Sequence, residues 1–346
     1  MIHFLVRPSL DLTGLDDWDP DAEPARFASG EGHNVLELHR RLAQRGRATT
    51  VGPDIPPGTT LVVVMTQPIA RSGHHTRIRA EWALRRHPVV AIRSDCPVEV
   101  VRRFRADVEV APSRAFLAAH GARGRCVLAP LPQRGLRRRD PARGDRIEVA
   151  TMKSNPENVP GVLRSPKVLR DLEALGVTLD LDVPSVTHGA DQTWHDFSGA
   201  DVAICLRRSD QEIITKPATK IFNAWAAGVV PIASREPAYE EVATDGVDVL
   251  FVDDPAEVVG CLRSLVDDPA LRARLRQGVA EAAAARPSVD DLVDEWWALF
   301  VANDGKPSWW RGVRSVAFMA RHEAPVLVRA AWGRAVRRLR RSAERP

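Results

Sequence analysis

The sequence is poor in cysteine and has no long apolar run. Four cysteines occur among 346 residues, none in a Cys-x-x-Cys pair, which argues against a disulfide scaffold or a thiolate zinc site and fits a reducing compartment. No stretch of about 18 apolar residues is present, so no bilayer-spanning helix is expected. Residues 1–8 are too short and too soon interrupted for a signal peptide. We therefore expect a cytoplasmic protein.

Aromatic residues are also scarce, and charge is unevenly distributed. Aromatics make up 5% of the chain, with a single tyrosine. The net charge is +4, but residues 306–346 hold ten arginines and one lysine against two glutamates, a balance of +9 that leaves the rest acidic. Surfaces that bind single-stranded nucleic acid combine basic grooves with aromatic platforms. We therefore expect no nucleic-acid partner. The alternative is a nucleic-acid-binding protein that uses the basic tail, which a filter-binding assay would test.

Lysine occurs at only five positions, and two of these lie four residues apart. The other basic residues among the 49 are arginine, so most surface positions accept arginine. Lys216 and Lys220 precede the apolar run 221–227, and residues four apart share a helix face. The free N–H groups and the positive dipole end of a helix start also favour an anion. The pattern predicts a phosphate or diphosphate site, and the alternative is a solvated helix start.

The segment 201–234 combines strand and helix signals. An apolar strand is predicted at 201–206, a helix from Pro217 to a stop at Gly228, and a second strand at 229–234. Proline fits the first helical position and glycine the position just past the end. This βαβ unit places the polar loop and the helix start beyond the carboxyl end of a strand, where ligands bind such sheets.

The alternation of short apolar strands and amphipathic helices runs through most of the chain. It predicts an α/β fold of two doubly wound Rossmann-like domains. We assign residues 1–135 to the N-terminal domain, 136–146 to a linker, 147–305 to the C-terminal domain and 306–346 to a basic helical tail. Strands are predicted at 2–6, 61–65, 89–92, 108–113, 126–130, 147–150 and 179–183, besides the two named above.

The residues Lys216 to Ser234, KPATKIFNAWAAGVVPIAS, resemble the donor-binding segment of bacterial group-1 or family-4 glycosyltransferases of the GT-B fold. In that family a helix of the second domain ends in a small residue and glycine, and a Val/Pro-containing strand follows. Retaining members carry two glutamates eight positions apart, and Thr215 and Asn223 occupy the matching positions here. The resemblance implies transfer of a sugar from a nucleotide-diphosphate sugar to an acceptor hydroxyl, in surface glycan or glycolipid synthesis, with no other cofactor.

The second domain is expected to hold the donor, with the sugar beyond the strand 229–234. No cluster of acidic ligands demands a metal, so fixed cations are expected to neutralise the leaving diphosphate. The predicted phosphate contacts are Lys216, Lys220, Thr219, Arg207, Arg208 and Lys153, with Asn223 on a ribose hydroxyl. The predicted sugar contacts are Glu236, Tyr239 and Glu240, whose alternative role is to cap a short helix.

A glycine pair marks the predicted acceptor side. Gly30 and Gly32 lie between the first strand and the first helix, directly before His33. If the reaction inverts the anomeric configuration, a base must take the acceptor proton, and His33 is the best-placed histidine. His74 and His75, beyond the strand 61–65, are second. The alternative for each histidine is a polar residue at the surface of a loop.

Another enzyme class with the same two-domain fold is a sugar-nucleotide epimerase or hydrolase. Such epimerases place several carboxylates and histidines around the sugar, whereas the central segment here is basic. Donor hydrolysis with and without acceptors separates the two classes.

The tail is predicted to be amphipathic. Apolar residues recur at helical spacing on one face, with arginines opposite. Such a helix fits the surface of an anionic membrane, which would give peripheral attachment at its inner face. The alternative is packing of the apolar face on the first domain. The apolar positions are Val328, Ala331, Trp332, Ala335, Val336 and Leu339.

Overall fold

The structure is a computed structural model that describes residues 1–27, 29–96, 104, 106–120, 125–182, 194–207 and 213–305. Some of the sequence predictions fall outside the described residues. These are the last residue of the strand expected at 179–183, the phosphate contact Arg208, and the whole tail at 306–346.

The first sheet has six parallel strands in the order β2-β1-β3-β4-β5-β6. Its central strand β3 is apolar at every position and buried throughout, as expected for a parallel sheet covered on both faces. The sequence did not predict β2, which is short and contains two threonines. The strands are β1 (Ile2–Leu5), β2 (Thr49–Gly52), β3 (Leu61–Met65), β4 (Val89–Ile92), β5 (Val108–Val110) and β6 (Arg125–Cys126).

The second sheet has five parallel strands in the order β11-β10-β9-β7-β8. The strand order reverses beside β7 and β9, which makes this a doubly wound sheet like the first. The predicted fold class is therefore confirmed. The strands are β7 (Val149–Lys153), β8 (Thr178–Asp182), β9 (Val202–Cys205), β10 (Val230–Ser234) and β11 (Leu250–Val252).

Helices cover both sheets. A π-helix spans Gly32–Leu36 and continues directly into the first α-helix. The α-helices are α1 (Glu37–Gln44), α2 (Thr66–Ala70), α3 (His74–Leu84), α4 (Arg114–His120), α5 (Pro166–Ala174), α6 (Thr219–Ala227), α7 (Pro237–Glu240), α8 (Val258–Asp267), α9 (Pro269–Ala284) and α10 (Val289–Asn303). Short 3-10 helices lie at Leu15–Asp17, Pro24–Phe27, Pro141–Arg143, Pro156–Asn158, Gly161–Arg164, Ile213–Thr215 and Pro255–Glu257.

The boundaries of α6 correct one prediction and confirm another. Pro217 is not the first helical residue, because the helix begins at Thr219 with Ala218 as its N-cap. The predicted stop is confirmed, since Gly228 is left-handed at φ 73° and its N–H binds the carbonyls of Ala224 and Trp225. Glycine adopts that conformation without steric cost.

The last described helix, α10, returns to the first domain. Its buried residues Leu292, Val293 and Phe300 belong to the core of the first sheet, and Phe300 meets Phe4 edge to face at 5.8 Å. Arg45, after α1, pairs with Asp290 and Asp294 of α10. Ser288 and Asp291 form a capping box at the start of this helix. The tryptophans of α10 therefore serve packing.

The linker is held on the second domain by a buried carboxylate. Asp201 accepts hydrogen bonds from Arg139 and Arg143 and from the backbone N–H groups of Glu148 and Val149. Burial raises the pKa of Asp201, but the hydrogen bonds from Arg143, the two backbone groups and Arg139 outweigh it and hold the pKa at about 2. Arg139 and Arg143 of the linker thus attach it to the second domain.

Candidate active site

A cavity of about 650 Å³ lies between the carboxyl ends of the two sheets. That volume is typical of a small-molecule site. Both domains contribute to its wall, including Gln133 near the end of the first domain. Its described lining includes five cations but a single carboxylate, Asp95. The cations are Arg71, Lys153, Arg207, Lys216 and Lys220.

Lys220 lies in the first turn of α6 and lines the cavity. Its Nζ is 3.3 Å from both Ser154 Oγ and the Leu206 carbonyl oxygen. Among the described residues it has no carboxylate partner. Burial, with a smaller contribution from Arg207, lowers the pKa of Lys220 to about 7. A desolvated ammonium of this kind gains most from an anion that enters the cavity.

Lys216 lines the same cavity but is paired with the opposite domain. Its Nζ is 2.6 Å from Asp95 Oδ1, beyond the carboxyl end of β4. The N–H of Asp95 also donates to the carbonyl of Thr215 at 2.9 Å. Asp95 has φ 56°, the one non-glycine residue with positive φ in the described ranges. That conformation is unusual outside Asn and Asp, and here it faces two partners across the cleft.

Arg207 follows β9 and lines the cavity, as predicted for a phosphate contact. It pairs with the buried carboxylate of Glu236 and lies over the Tyr239 ring at 5.3 Å. Ser234 Oγ donates to the other oxygen of Glu236 at 2.8 Å. Among the expected sugar contacts, Glu236 and Tyr239 are fully buried and Glu240 is exposed, and none of the three lines the cavity. In this conformation Glu236 supports Arg207 instead.

The other predicted donor contacts lie at the cavity wall. Thr219 opens α6, and Lys153 ends β7 with its Nζ 5.1 Å from the centre of the Phe197 ring. Asn223 is buried in α6, where its Oδ1 accepts from the backbone N–H of Gln133 at 3.1 Å. That oxygen therefore already has a hydrogen-bond partner in the first domain. The prediction of a ribose contact did not include this bond.

The glycine loop that is predicted for the acceptor side contributes to the cavity wall. Gly30 and His33 line the cavity. Gly32 is buried and does not line the cavity. A Cβ at this position would lie 2.9 Å from Ser29 Oγ and 3.1 Å from the Phe27 backbone. This close approach explains the glycine at position 32 and fixes the start of the π-helix that carries His33.

The ring of His33 lies close to the carboxylate of Glu37, which was not among the site residues predicted from the sequence. Its Nδ1 lies 3.3 Å from Oε2 of Glu37, and its side chain is 14% exposed. His74 and His75 both open α3. His75 is exposed and does not line the cavity, whereas the side chain of His74 lies outside what the structure describes. The local signal for Glu37 is its position four residues after His33.

Neither a metal cluster nor a membrane span is found in the described ranges. Those residues contain no group of three or more His, Cys, Asp or Glu side chains placed to hold a metal ion. The helices described above include none that is long and apolar enough to cross a membrane.

Part of the chain is similar in sequence to known glycosyltransferases. Residues 182–298 match a family described as glycosyl transferase-like. The lipopolysaccharide core biosynthesis glycosyltransferase LpsD of Rhizobium meliloti (strain 1021) is 40% identical over 81 residues. This alignment covers 23% of the chain and 24% of LpsD, so the chain spans about a quarter of the length of the curated relative that it matches.

Two solved structures share the fold over most of this chain. Anabaena HepE, in a complex with UDP and glucose, has a TM-score of 0.55 at 14% identity, covering 87% of this chain and 99% of HepE. Sucrose-phosphate synthase of Thermosynechococcus elongatus has a TM-score of 0.57 at 13% identity, covering 87% and 98%. The chain has the GT-B fold of these proteins, which is the fold that the resemblance of residues 216–234 implied, and its residues 182–298 are similar to the glycosyl transferase-like family.

Proposed function

We propose that the protein transfers a sugar from a nucleotide-diphosphate sugar to an acceptor hydroxyl, in the synthesis of a surface glycan or glycolipid. The observation that carries this proposal is the interdomain cavity with five cations and one carboxylate in its described lining. Lys220 supports it most directly, because it is desolvated at a helix start and has no carboxylate partner in the described ranges. A diphosphate supplies the missing negative charge.

In this reaction the bond between the anomeric carbon and the diphosphate oxygen breaks, and the acceptor oxygen bonds to that carbon. Lys220, Lys216 and the N–H groups at the start of α6 stabilise the negative charge that develops on the leaving group. Fixed cations perform this role without a metal ion. For inversion of the sugar, His33 accepts the proton of the acceptor hydroxyl. Both ring nitrogens of His33 are buried and have no hydrogen-bond partner in the described structure, so the ring has a nitrogen available for that proton.

The relatives support the class of donor and the kind of product. HepE has been solved in complexes with UDP and with UDP-glucose, and the name of LpsD refers to lipopolysaccharide core biosynthesis. A nucleotide sugar as co-substrate and a lipid-linked glycan as acceptor are consistent with both.

Binding of nucleoside diphosphates is the first test. A panel of UDP, GDP, ADP and TDP is screened for thermal stabilisation, where a ligand at one hundred times its dissociation constant adds about 2.7 kcal/mol. We expect one nucleotide to raise the melting temperature, with or without EDTA. Stabilisation by none of the four would contradict the proposal, and stabilisation only without EDTA would contradict the absence of a metal requirement.

Turnover then separates transferase from hydrolase or epimerase. The matching nucleotide sugar is incubated with and without glycolipid acceptors, and products are identified by NMR. We expect release of nucleoside diphosphate to depend on an acceptor. Free sugar formed at the same rate without acceptor indicates a hydrolase, and a changed sugar still linked to the nucleotide indicates an epimerase.

A further inference from the structure

Arg71 is the one lysine or arginine that the first domain contributes to the described lining of the cavity. It follows α2, which begins directly after β3, and it is exposed. Among the described residues Arg71 forms no ion pair, and the single carboxylate of the described lining, Asp95, is bound by Lys216. The charge of Arg71 is therefore available to a ligand in the cavity.

A neutral side chain holds Arg71 at the cavity wall. The amide of Gln67, four residues earlier, is oriented by its surroundings so that its oxygen faces the guanidinium and accepts from Nη1 at 2.7 Å and from Nε at 3.2 Å. Gln67 lines the cavity as well. Because an amide oxygen carries no net charge, this contact positions the guanidinium without neutralising it. A guanidinium has five N–H donors, so others remain for a ligand.

The topology of the first sheet places Arg71 close to His33. The strand order reverses between β1 and β3, and ligands bind such a sheet in the crevice at the reversal, beyond the carboxyl ends of the strands. The segment after β1 carries Gly30 and His33, and the segment after β3 carries Gln67 and Arg71. The two segments are in close proximity, since a Cβ at Gly30 would lie 3.4 Å from Cε of Met65, the last residue of β3. The proposed base and Arg71 therefore flank one crevice.

Several other residues of the first-domain wall are polar and neutral. Ser29, Asn34 and Ser94 line the cavity there. Hydroxyl and amide groups suit the hydroxyl groups of a sugar, whereas a guanidinium suits a carboxylate or a phosphate, which it binds with two parallel hydrogen bonds. This wall therefore fits a sugar that carries a negatively charged group.

The proposed donor does not account for Arg71. The diphosphate is expected at Lys216, Lys220 and the N–H groups at the start of α6, all of which belong to the second domain. Arg71 lies on the opposite wall, where the acceptor is expected. Its charge is therefore left for the second substrate.

We infer that Arg71 binds a negatively charged group of the acceptor, so that the proposed transferase acts on a sugar acceptor that carries a phosphate or a carboxylate. Both groups offer the guanidinium two oxygens in the geometry that it prefers. The inference rests on the proposed function, because it names the class of acceptor for that reaction.

An NMR titration of the full chain tests the inference without turnover. The donor site is first saturated with the nucleoside diphosphate that the protein binds, so that an anionic probe cannot occupy it. The probes are methyl glucoside, methyl glucuronide and a methyl glucoside phosphate, which share a ring and differ in charge. We expect the Nε–H signal of Arg71, assigned with Arg71→Gln, to move with an anionic probe and not with the neutral glucoside. The anionic probe that binds more tightly identifies the group as carboxylate or phosphate. No response to either anion, or an equal response to all probes, would overturn the inference.

Variants at two arginines separate a bound anion from attraction by overall charge. Arg71→Gln should weaken binding of the anionic probe about tenfold to a hundredfold, the range for a hydrogen bond to a charged group. Arg71→Lys should weaken it less, because lysine keeps the charge but loses the paired donors. Arg79→Gln is the matched control, since Arg79 is an exposed arginine of α3 that pairs with Asp54 and does not line the cavity. An equal loss in Arg71→Gln and Arg79→Gln would overturn the inference.

Turnover tests the same contact in the transfer reaction. We expect Arg71→Gln to raise KM for an anionic acceptor about tenfold to a hundredfold and to leave KM for the nucleotide sugar unchanged. A matching rise in KM for the nucleotide sugar would assign Arg71 to the donor and overturn the inference. Binding of no nucleoside diphosphate by the unaltered protein would refute the proposed function and this inference with it. If a nucleoside diphosphate binds but charged and neutral acceptors are used equally well, the inference alone fails.

Discussion

At the scale of single residues, Lys216 and Lys220 differ in what surrounds them. The charge of Lys216 is balanced by Asp95, whereas Lys220 meets only neutral oxygens in the described structure. We expect Lys220→Ala to weaken nucleoside diphosphate binding by about 1.5–3 kcal/mol, the range for a hydrogen bond to a charged group. Calorimetry on the folded variant measures this. Unaltered affinity would remove the central argument for the donor site.

The lowered pKa of Lys220 leads to a prediction about how the affinity for a nucleoside diphosphate depends on pH. Its pKa of about 7 in the free protein must rise when a phosphate binds, because the anion stabilises the charged form. Below pH 7 the lysine is charged in both states and affinity is flat; above pH 7 binding takes up a proton, so affinity falls. Titrations at pH 8 in buffers of different ionisation enthalpy should show proton uptake. Lys220→Arg should abolish the uptake, since arginine stays charged at this pH. Uptake that persists in this variant would contradict the assignment.

A further prediction for a single residue concerns His33 and the chemical step. If it is the base of an inverting reaction, His33→Ala should lower kcat by about 10²–10⁴ while donor affinity survives. The anomeric configuration of the product, read by NMR, provides an independent check. A retained configuration would rule out a simple inverting-base role.

The sequence predicted residues whose signal is local and missed those whose partners are distant. Lys220 was predicted as a site residue from its place at a helix start and His33 from its place after a glycine loop, and both line the cavity. Asp95 could not be found this way, because it contacts a lysine 121 positions away and has no unusual neighbours in the sequence. Gln133 acts through its backbone N–H, which leaves no trace in residue type.

At the scale of elements, the buried strands were predicted best and the short or irregular ones worst. The runs that became β3, β4 and β9 are apolar throughout, so burial on both faces determines them. The polar strand β2 depends on pairing with β1 and was missed. The π-helix was also missed, because it depends on close packing of Gly32 rather than on apolar periodicity.

Two buried histidines join β1, β2 and α1 and make the first domain sensitive to acid. His3 contacts Thr50 and the Gly52 carbonyl, and His39 contacts Thr49. Burial lowers the pKa of each to about 4. Because the unfolded pKa is about 6.5, the unfolded chain binds more protons between pH 6.5 and 4. Their contribution to stability is complete above pH 6.5 and is lost as the pH falls towards 4.

We therefore expect the free energy of unfolding to fall by up to about 1.4 kcal/mol per pH unit for each histidine over that range. Urea unfolding followed by circular dichroism at pH 7.5, 6.5 and 5.5 measures the slope. His39→Phe, which keeps an aromatic ring beside Phe4, should remove the share of His39. An identical slope in protein and variant would contradict the assignment, whatever other groups contribute.

At the scale of the whole molecule, the tail remains a prediction, because residues 306–346 lie outside the described ranges. Its charge of +9 and its amphipathic spacing predict attachment to anionic membranes, at about 1 kcal/mol per basic residue near the surface. The full chain should co-sediment with anionic liposomes at low salt, and a form that ends at Gly305 should not. Equal binding by both forms, or by neither, would defeat this prediction and favour a tail packed on the protein.

The two domains also touch directly beside the proposed donor site. Asp95 binds Lys216 and Thr215, Ile214 packs against Cys96 and Phe116, and Glu241 accepts from two backbone N–H groups at the start of α4. The first of these contacts engages a cation that is proposed to bind the diphosphate. Asp95 and the incoming phosphate therefore compete for Lys216.

This competition predicts a gain of affinity when a charge is removed. Asp95→Asn should bind the nucleoside diphosphate about tenfold more tightly, equivalent to about 1.4 kcal/mol, because Lys216 no longer has to leave an anion. Asparagine tolerates the positive φ at position 95, so the turn is kept. Glu241→Gln is the control, since it weakens another interdomain contact without releasing Lys216. The affinity of each variant is measured by calorimetry. Tighter binding in Asp95→Asn alone supports competition, whereas an equal gain in both variants would indicate that a looser interface is responsible. No gain in Asp95→Asn would refute the competition.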